Sequence, residues 1–481
     1  MTSHDRGVTA GEPTIIAAER VVTPDGVLAP GWMSIADGRI EAVGPGQPPA
    51  PADRRADWAL PGFIDLHVHG GGGASFTEGG PDDARRAAAF HRAHGTTRTL
   101  ASLVTAPLDR LERRVAMLAE LADEGVIDGI HLEGPFLSAA RCGAQDPRYL
   151  IDPDVAAFSR LQAASRGWLR MITIAPELPG AAAVIRAATA AGVIAAAGHT
   201  DASAEVTADA INAGISYATH LFNGMRPIEH RAPGPAGALL DRQVTCEIIA
   251  DGTHLHDTIV RLAARAAGPG NLVLITDAMA AAGMPDGDYR LGELDVTVSA
   301  GVARLSGTTP GGTAPGGTAP GRTAPGSTAP GSTAPGRTAP GSTAPGSTAP
   351  GRTAPGSTAP GSTAPGRTAP GSTAPGRTAP GSTAPGSTAT GSTGAIAGST
   401  ATMELVVRRA ITAIGLSVVE VAQAASTTPA RRLGLDGVTG SLRAGLAADI
   451  VLLDSEFRLR AVVARGEIRP ALEDGPGSAP A

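Results

Sequence analysis

Eight short apolar runs, each followed by a stretch long enough for a helix, constrain this chain more than any other feature of its sequence. The runs are Phe63–Val68, Arg98–Val104, Gly129–Glu133, Leu169–Ala175, Val193–His199, Ile215–His220, Val244–Ala250 and Leu272–Asp277. Helix-length segments between them include Pro107–Glu124, Asp152–Ala164, Gly180–Ala191 and Ala202–Ala213. The runs are apolar at successive positions rather than alternating, as parallel strands buried on both faces require. Eight strand–helix units predict an α/β fold, a (β/α)8 TIM-like barrel. Aromatics make up only 3% of the chain, so the core has to be filled by Ala, Val, Leu and Ile.

The two ends read differently. Ile15 to Val22, Trp32 to Ile35 and Ile40 to Val43 are β-rich and separated by Pro24-Asp25-Gly26 and Asp37-Gly38, turn sequences whose glycines accept positive φ. Asp449 to Leu453 and Phe457 to Val463 look the same. A small β-sandwich assembled from both chain ends is expected. Between residues 308 and 392 runs a five-residue repeat of Thr-Ala-Pro-Gly with Ser, Arg or Gly. With a proline every five residues from Pro310 to Pro385 and almost no large side chain it cannot bury a core, and it is expected to be a disordered tether. The expected organisation is therefore residues 1–60 in the first part of the sandwich and 61–307 in the barrel. The repeat insertion spans 308–392, residues 393–435 complete the barrel, and 436–481 form the rest of the sandwich and a tail.

Charge excludes some functions. Lysine plus arginine total 39 against 45 acids, a net of −6. Five of the cations (Arg322, Arg337, Arg352, Arg367, Arg377) sit in the acid-free repeat, so the remainder is more acidic still and has no basic block. Nucleic acid is not expected as a partner. Cys142 and Cys246 are too few for a disulfide framework and have no metal-ligand spacing. The first residues lack a charged-then-apolar leader, and no segment approaches the ~20 apolar residues of a membrane span. A soluble, cytoplasmic protein without membrane contact is expected.

The chemistry-bearing residues cluster at strand ends. His67 and His69 flank Val68 at the carboxyl end of the first run, and positions i and i+2 of a strand share a face. Glu133 ends the third run, His199 the fifth, His220 the sixth and Asp277 the eighth. A barrel gathers these ends at one mouth, where active sites sit. Four imidazoles and two carboxylates there suit a divalent ion, which lowers the pKa of water and polarises a carbonyl. Imidazole-rich sites favour zinc, with iron, manganese or cobalt as alternatives. A carboxylate that is not a ligand, such as Asp277, can take a proton from water and return it to a leaving amine.

The segments Pro61–Gly70, His131-Leu-Glu-Gly-Pro-Phe136, Ala197-Gly-His-Thr200 and Thr219-His-Leu-Phe-Asn223 resemble the amidohydrolase superfamily. So do Asp251-Gly-Thr-His254, Thr276-Asp-Ala278, Ile396-Ala-Gly-Ser399 and Gly445-Leu-Ala-Ala-Asp449. Within the superfamily the similarity is to the N-acetylglucosamine-6-phosphate deacetylase family, over the whole chain except the repeat. No lysine occurs in the chain, so it cannot supply the carboxylated lysine with which many relatives bridge two metals. The resemblance implies that Glu133, His199 and His220 bind the main ion and that Asp277 is the catalytic acid/base. His67 and His69 would hold a second ion, giving one or two per subunit.

The same resemblance implies the substrate contacts. Asn223 and Gly224, the latter where alanine is common, would face the sugar, and Arg231 would hold the 6-phosphate as a fixed guanidinium can. His254 would complete the phosphate site across a subunit boundary, implying a homodimer or a dimer of dimers. Ala144 and Gln145 fall where the family often has a histidine at the second position; Gln145 can donate but cannot supply a proton. Ile396, Ala397 and Gly398 match a substrate loop. Cys142, His230, His91 and His94 read as surface or packing residues, and Glu177 as an orienting group. The implied reaction is deacetylation of N-acetyl-D-glucosamine 6-phosphate, in amino-sugar catabolism or cell-wall recycling. N-Acetylgalactosamine 6-phosphate is the alternative substrate. A weakly active scaffold using the repeat as a tether is the alternative of another class, against which the full ligand set speaks.

Overall fold

A computed structural model describes residues 13–306 and 394–470; the repeat and both extreme termini lie outside the described residues. All eight expected barrel strands form: Phe63–Val68, Thr96–Val104, Gly129–Glu133, Leu169–Ile174, Ile194–Ala197, Tyr217–Ala218, Thr245–Ile249 and Leu272–Ile275. They pair in parallel in chain order. The seam between last and first is closed beyond the last strand, where Val68 and Ala278 form a parallel bridge and Asp277 N–H donates to the His67 carbonyl at 2.9 Å. Asp65, fully buried, reinforces the seam by accepting from the Thr276 hydroxyl and from the backbone N–H of Thr276 and His67.

Side chains fill the barrel. Ile64, Leu66, Leu100, Met171, Tyr217, Ile249 and Val273 form one buried cluster, and Ala430, from the short helix Thr428–Arg432, joins it. The outer helices bury one stripe each. Leu108–Asp123 turns Leu111, Val115, Leu118 and Ala122 inward at helical spacing. Side-chain caps start several of them: Asp154 accepts from Ala157 N–H, Ser203 from Val206 N–H and Thr402 from Leu405 N–H.

The chain ends build a second sheet of eight strands. Its order is Glu467–Pro470, Leu459–Ala464, Ile450–Leu453, Arg54–Pro61, Thr14–Thr23, Gly31–Ala36 and Arg39–Pro45, with Gly26–Leu28 paired to Thr14–Thr23. The far edge curls back, since Ile40 N–H donates to Leu446 O at 2.9 Å and Ala448 N–H to Gly38 O. Ile16, Met33, Ile35, Ile40, Ile450, Leu452 and Val463 form its core. The central strand Arg54–Pro61 joins the two terminal halves; its Arg54, Arg55 and Asp57 hide it from an apolar pattern.

A third sheet follows the eighth barrel strand. Gly287–Leu291, Leu294–Ser299 and Val302–Leu305 form an antiparallel meander. Its Leu291, Val296, Val298 and Ala303 pack with Val104, Met279 and Ala397 over the barrel. The meander gains a fourth line of chain from beyond the repeat: Arg304 bridges Ile396, Leu305 N–H donates to Ala395 O (2.9 Å), and Ala397 N–H donates to Ala303 O (3.1 Å). The chain thus returns from the repeat to the place it left. Among the described residues no helix is long and apolar enough to cross a membrane.

Candidate active site

The six strand-end residues converge. Glu133 Oε1 lies 2.9 Å from Nε2 of both His199 and His220, and those two nitrogens are 3.0 Å apart. His67 Nε2 is 3.2 Å from His69 Nε2 and 3.5 Å from Glu133 Oε1. Asp277 Oδ1 approaches the pair at 3.5 Å from His67 and 3.3 Å from His69. All six side chains are buried or nearly so.

For three of the four imidazoles the outer ring nitrogen fixes which face is a lone pair. Nδ1 of His67 faces the Glu247 carboxylate at 3.1 Å, Nδ1 of His69 the Ser102 carbonyl at 3.2 Å, and Nδ1 of His199 the Arg141 carbonyl at 3.0 Å. An acceptor at Nδ1 requires a proton there, so in the neutral ring the Nε2 lone pair points inward. Two sets of ligand atoms result, His67–His69–Glu133 and Glu133–His199–His220, each within 4.8 Å of one another. Nitrogen and oxygen donors in this number and at this spacing fit a divalent transition ion. Electrostatics agree. Burial alone would push the Glu133 carboxyl up, yet the imidazoles of His67 and His199 hold it well below the usual range. Burial would likewise lower His69, but hydrogen bonds to Asp277 and Glu133 raise it to about 9. The pocket favours positive charge.

Backbone strain marks the same place. His199 (φ +46°), His220 (φ +24°) and Asp277 (φ +51°) all occupy the left-handed region, which non-glycine residues rarely adopt. Gly398 sits beside them at φ +65°, where a Cβ would come within 2.9 Å of the Asp277 carbonyl. Ser399 N–H donates to that carbonyl at 2.7 Å, so the chain returning from the repeat is stitched to Asp277.

The implied substrate residues spread outward from this centre. Asn223 Nδ2 donates to His220 O at 3.2 Å, and a Cβ on Gly224 would meet His199 Nδ1 at 2.9 Å, so alanine would be strained here. Gln145 is buried, donates to Glu133 Oε2 and accepts from Thr105 N–H at 2.7 Å. Ala144 packs against the buried cluster that includes Met279 and Ala397. His254 is held by Asp251 (2.8 Å) in a cleft of about 200 Å³ shared with Ile396, Gly398 and Ser399 of the same chain. Arg231 stands apart: it is exposed and has no ion pair among the described residues. Glu177 accepts from the Thr200 hydroxyl and Asp201 N–H, bracing the loop after His199, and His91 is buried, bonded to Gly70 O at 2.8 Å.

Sequence reasoning passed over Glu247, Ser102, Asp65 and His131. The signal was there for Glu247, a carboxylate inside the strand Thr245–Ile249, every residue of which is buried. His131 is a different case: its nitrogens bond Ser102 Oγ (3.0 Å) and Thr173 Oγ1 (2.8 Å), and burial keeps it neutral, its pKa well below the usual value.

A (β/α)8 barrel carrying four histidines, a shared glutamate and an aspartate at its strand ends defines the class of metal-assisted hydrolases. The chain belongs to the amidohydrolase family, whose pattern matches residues 58–296 and 386–470. It is 40% identical to N-acetyl-D-glucosamine-6-phosphate deacetylase of Mycobacterium smegmatis. That similarity covers 95% of this chain and 99% of the other with a TM-score of 0.75, and that structure is a variant in complex with N-acetyl-D-glucosamine-6-phosphate. It is 37% identical to the N-acetylglucosamine-6-phosphate deacetylase of Bacillus subtilis over 62% of this chain and 78% of the relative. It is 30% identical to the N-acetylgalactosamine-6-phosphate deacetylase of Escherichia coli O157:H7 over 94% of this chain and 98% of the relative.

Proposed function

We propose that this chain hydrolyses the acetamide of N-acetyl-D-glucosamine 6-phosphate, releasing acetate and D-glucosamine 6-phosphate. The observation that carries the reading is the inward convergence of four histidine Nε2 atoms on Glu133, with Asp277 at their edge. The deacetylase names of the similar proteins supply the substrate. Glu133, His199 and His220 would hold one ion, and His67 and His69 with Glu133 a second; zinc suits these donors best. A divalent ion there supplies Lewis acidity, making water acidic near neutral pH and polarising a carbonyl. Asp277 accepts a proton from the attacking water and delivers it to the amine as the C–N bond breaks. Asn223, Gly224 and the Ile396–Gly398 loop orient the sugar. Assembly into a homodimer or dimer of dimers, with His254 serving a neighbouring site, and residence in the cytoplasm beside a phosphorylated substrate complete the proposal.

The E. coli relative favours one second reading, the galacto epimer. Side-by-side acetate release from the two 6-phosphates separates them: faster turnover of N-acetylgalactosamine 6-phosphate would displace the proposed substrate. Arg231 tests the phosphate. Arg231→Ala should raise KM for the phosphorylated sugar roughly 10–100-fold, the worth of one charged hydrogen bond, and leave turnover of unphosphorylated N-acetylglucosamine as it was. Equal losses on both substrates would remove Arg231 from phosphate recognition.

We propose too that the repeat is a tether outside the fold. Leu305 and Ala395 already hydrogen-bond across it. Deleting Thr308–Ser392 joins Gly307 to Thr393 as a turn and should leave a folded enzyme with kcat near that of the full chain. Stability should change by no more than about 1–3 kcal/mol, since loop-closure entropy grows only logarithmically with length. Loss of fold or activity, persisting when a short Gly-Ser linker is restored, would make the repeat structural.

A further inference from the structure

Glu247 is a fully buried carboxylate that the mechanism above does not use. It lies in the middle of the seventh barrel strand, Thr245–Ile249, where every neighbour is buried. One oxygen, Oε2, takes two contacts: His67 Nδ1 at 3.1 Å and the His220 backbone N–H at 3.0 Å. The backbone carbonyl of the same residue accepts from Leu221 N–H at 2.9 Å. His67 belongs to one ligand set and His220 to the other, and Glu247 is bonded to both residues.

We infer that Glu247 is the positioning residue that couples the two ligand sets, fixing the His67 ring in its Nδ1–H form and pinning the strained His220 backbone. This inference rests on the reading of the site as a metal centre. The physical need is specific. A buried anion without compensation costs several kcal/mol, so a carboxylate in an apolar strand persists only with bound donors. Both donors to Oε2 lead to ligands, while Oε1 is buried with no hydrogen-bond partner among the described residues. A carboxylate behind a ligating imidazole sets its tautomer, fixes its orientation and makes it a stronger donor, and losing it typically weakens metal binding 10–100-fold. His220, at φ +24°, would relax without the bond to its N–H. Glu247 touches neither substrate nor ion; it acts through His67 and His220.

The test is a cobalt(II) titration of the full-length metal-free protein, read by visible absorption and by dialysis with elemental analysis. Glu247→Gln keeps the shape but loses the charge. It should bind cobalt(II) about 10–100-fold more weakly than wild type. Circular dichroism and the metal-free Tm should show a folded protein. In a His67→Ala background the same substitution should cost clearly less, because one of its two targets is gone. Unchanged cobalt affinity in Glu247→Gln, or an equal cost in both backgrounds, would overturn the inference and leave Glu247 a packing residue. Should Glu247→Gln fail to fold, Glu247→Asp, with a shorter reach to His67, takes its place under the same criteria. A wild-type protein that takes up no cobalt(II) would overturn the metal reading itself and this inference with it.

Discussion

Asp277→Asn is expected to lower kcat for acetate release by roughly 10²–10⁴-fold while leaving metal content unchanged. The amide preserves the shape of the side chain beside His67 and His69, which approach it at 3.5 and 3.3 Å. It cannot accept a proton from water. Burial would push the Asp277 carboxyl up, but the neighbouring His67 and His69 hold it below the usual range, so near neutral pH it is ionised and ready to accept. The expectation is a fall in kcat with little change in KM, since the group acts on the reacting atoms rather than on the sugar. Acetate release and elemental analysis on the same preparation check both halves. A variant that turns over at near the wild-type rate would take Asp277 out of the proton transfer, and one that loses its metal would make it a ligand.

Glu133→Gln should have a broader effect, because Glu133 belongs to both ligand sets. Its Oε1 meets His199 and His220 at 2.9 Å each, and its Oε2 faces His69 at 3.3 Å. The substitution exchanges a shared anion for a neutral amide at the centre of the pocket. Metal content should fall to near zero and activity with it, by roughly 10²–10⁴-fold if the lost Lewis acidity is worth several kcal/mol. The protein should still fold, because the barrel seam and its packed interior do not depend on Glu133. Thermal unfolding gives a further reading: added zinc should raise the Tm of wild type and not of the variant, since a ligand stabilises only the state that binds it. A variant with a full complement of metal would contradict the assignment of Glu133 as the shared ligand.

The barrel was legible because its eight strands are apolar on both faces, a pattern few other structures produce. The convergence of the candidate site was legible for a related reason: polar residues at the ends of such strands stand out, as His67, Glu133, His199, His220 and Asp277 do. What stayed hidden was polar within strands or short. Glu247 reads as a lone interruption of Thr245–Ile249 until its two donors, 180 and 27 residues away in the chain, are brought to it. Arg54–Pro61 carries three charged residues, and its place at the centre of the terminal sheet is set by partners from both chain ends. The meander Gly287–Leu305 alternates over strands of four to six residues, too short to distinguish from loop by pattern alone. The left-handed backbone at His199, His220 and Asp277 has no sequence signature, because histidine and aspartate are not the residues that prefer it least.

The pairing of Arg304 with Ile396 has a consequence for how such a gene can change over time. The chain leaves the meander at one hydrogen-bonded position and re-enters at its neighbour, so the geometry of Ile396–Gly398 against Asp277 is set by strand pairing and not by what is spliced between. If the repeat is the tether proposed above, whole five-residue units could be gained or lost with no pressure from the chemistry to hold their number. On the tether reading proposed above, copy number would be a neutral character while the described mouth of the barrel stays fixed. The same position would accept a foreign domain whose own termini lie close together, carried on the enzyme without being asked to fit it.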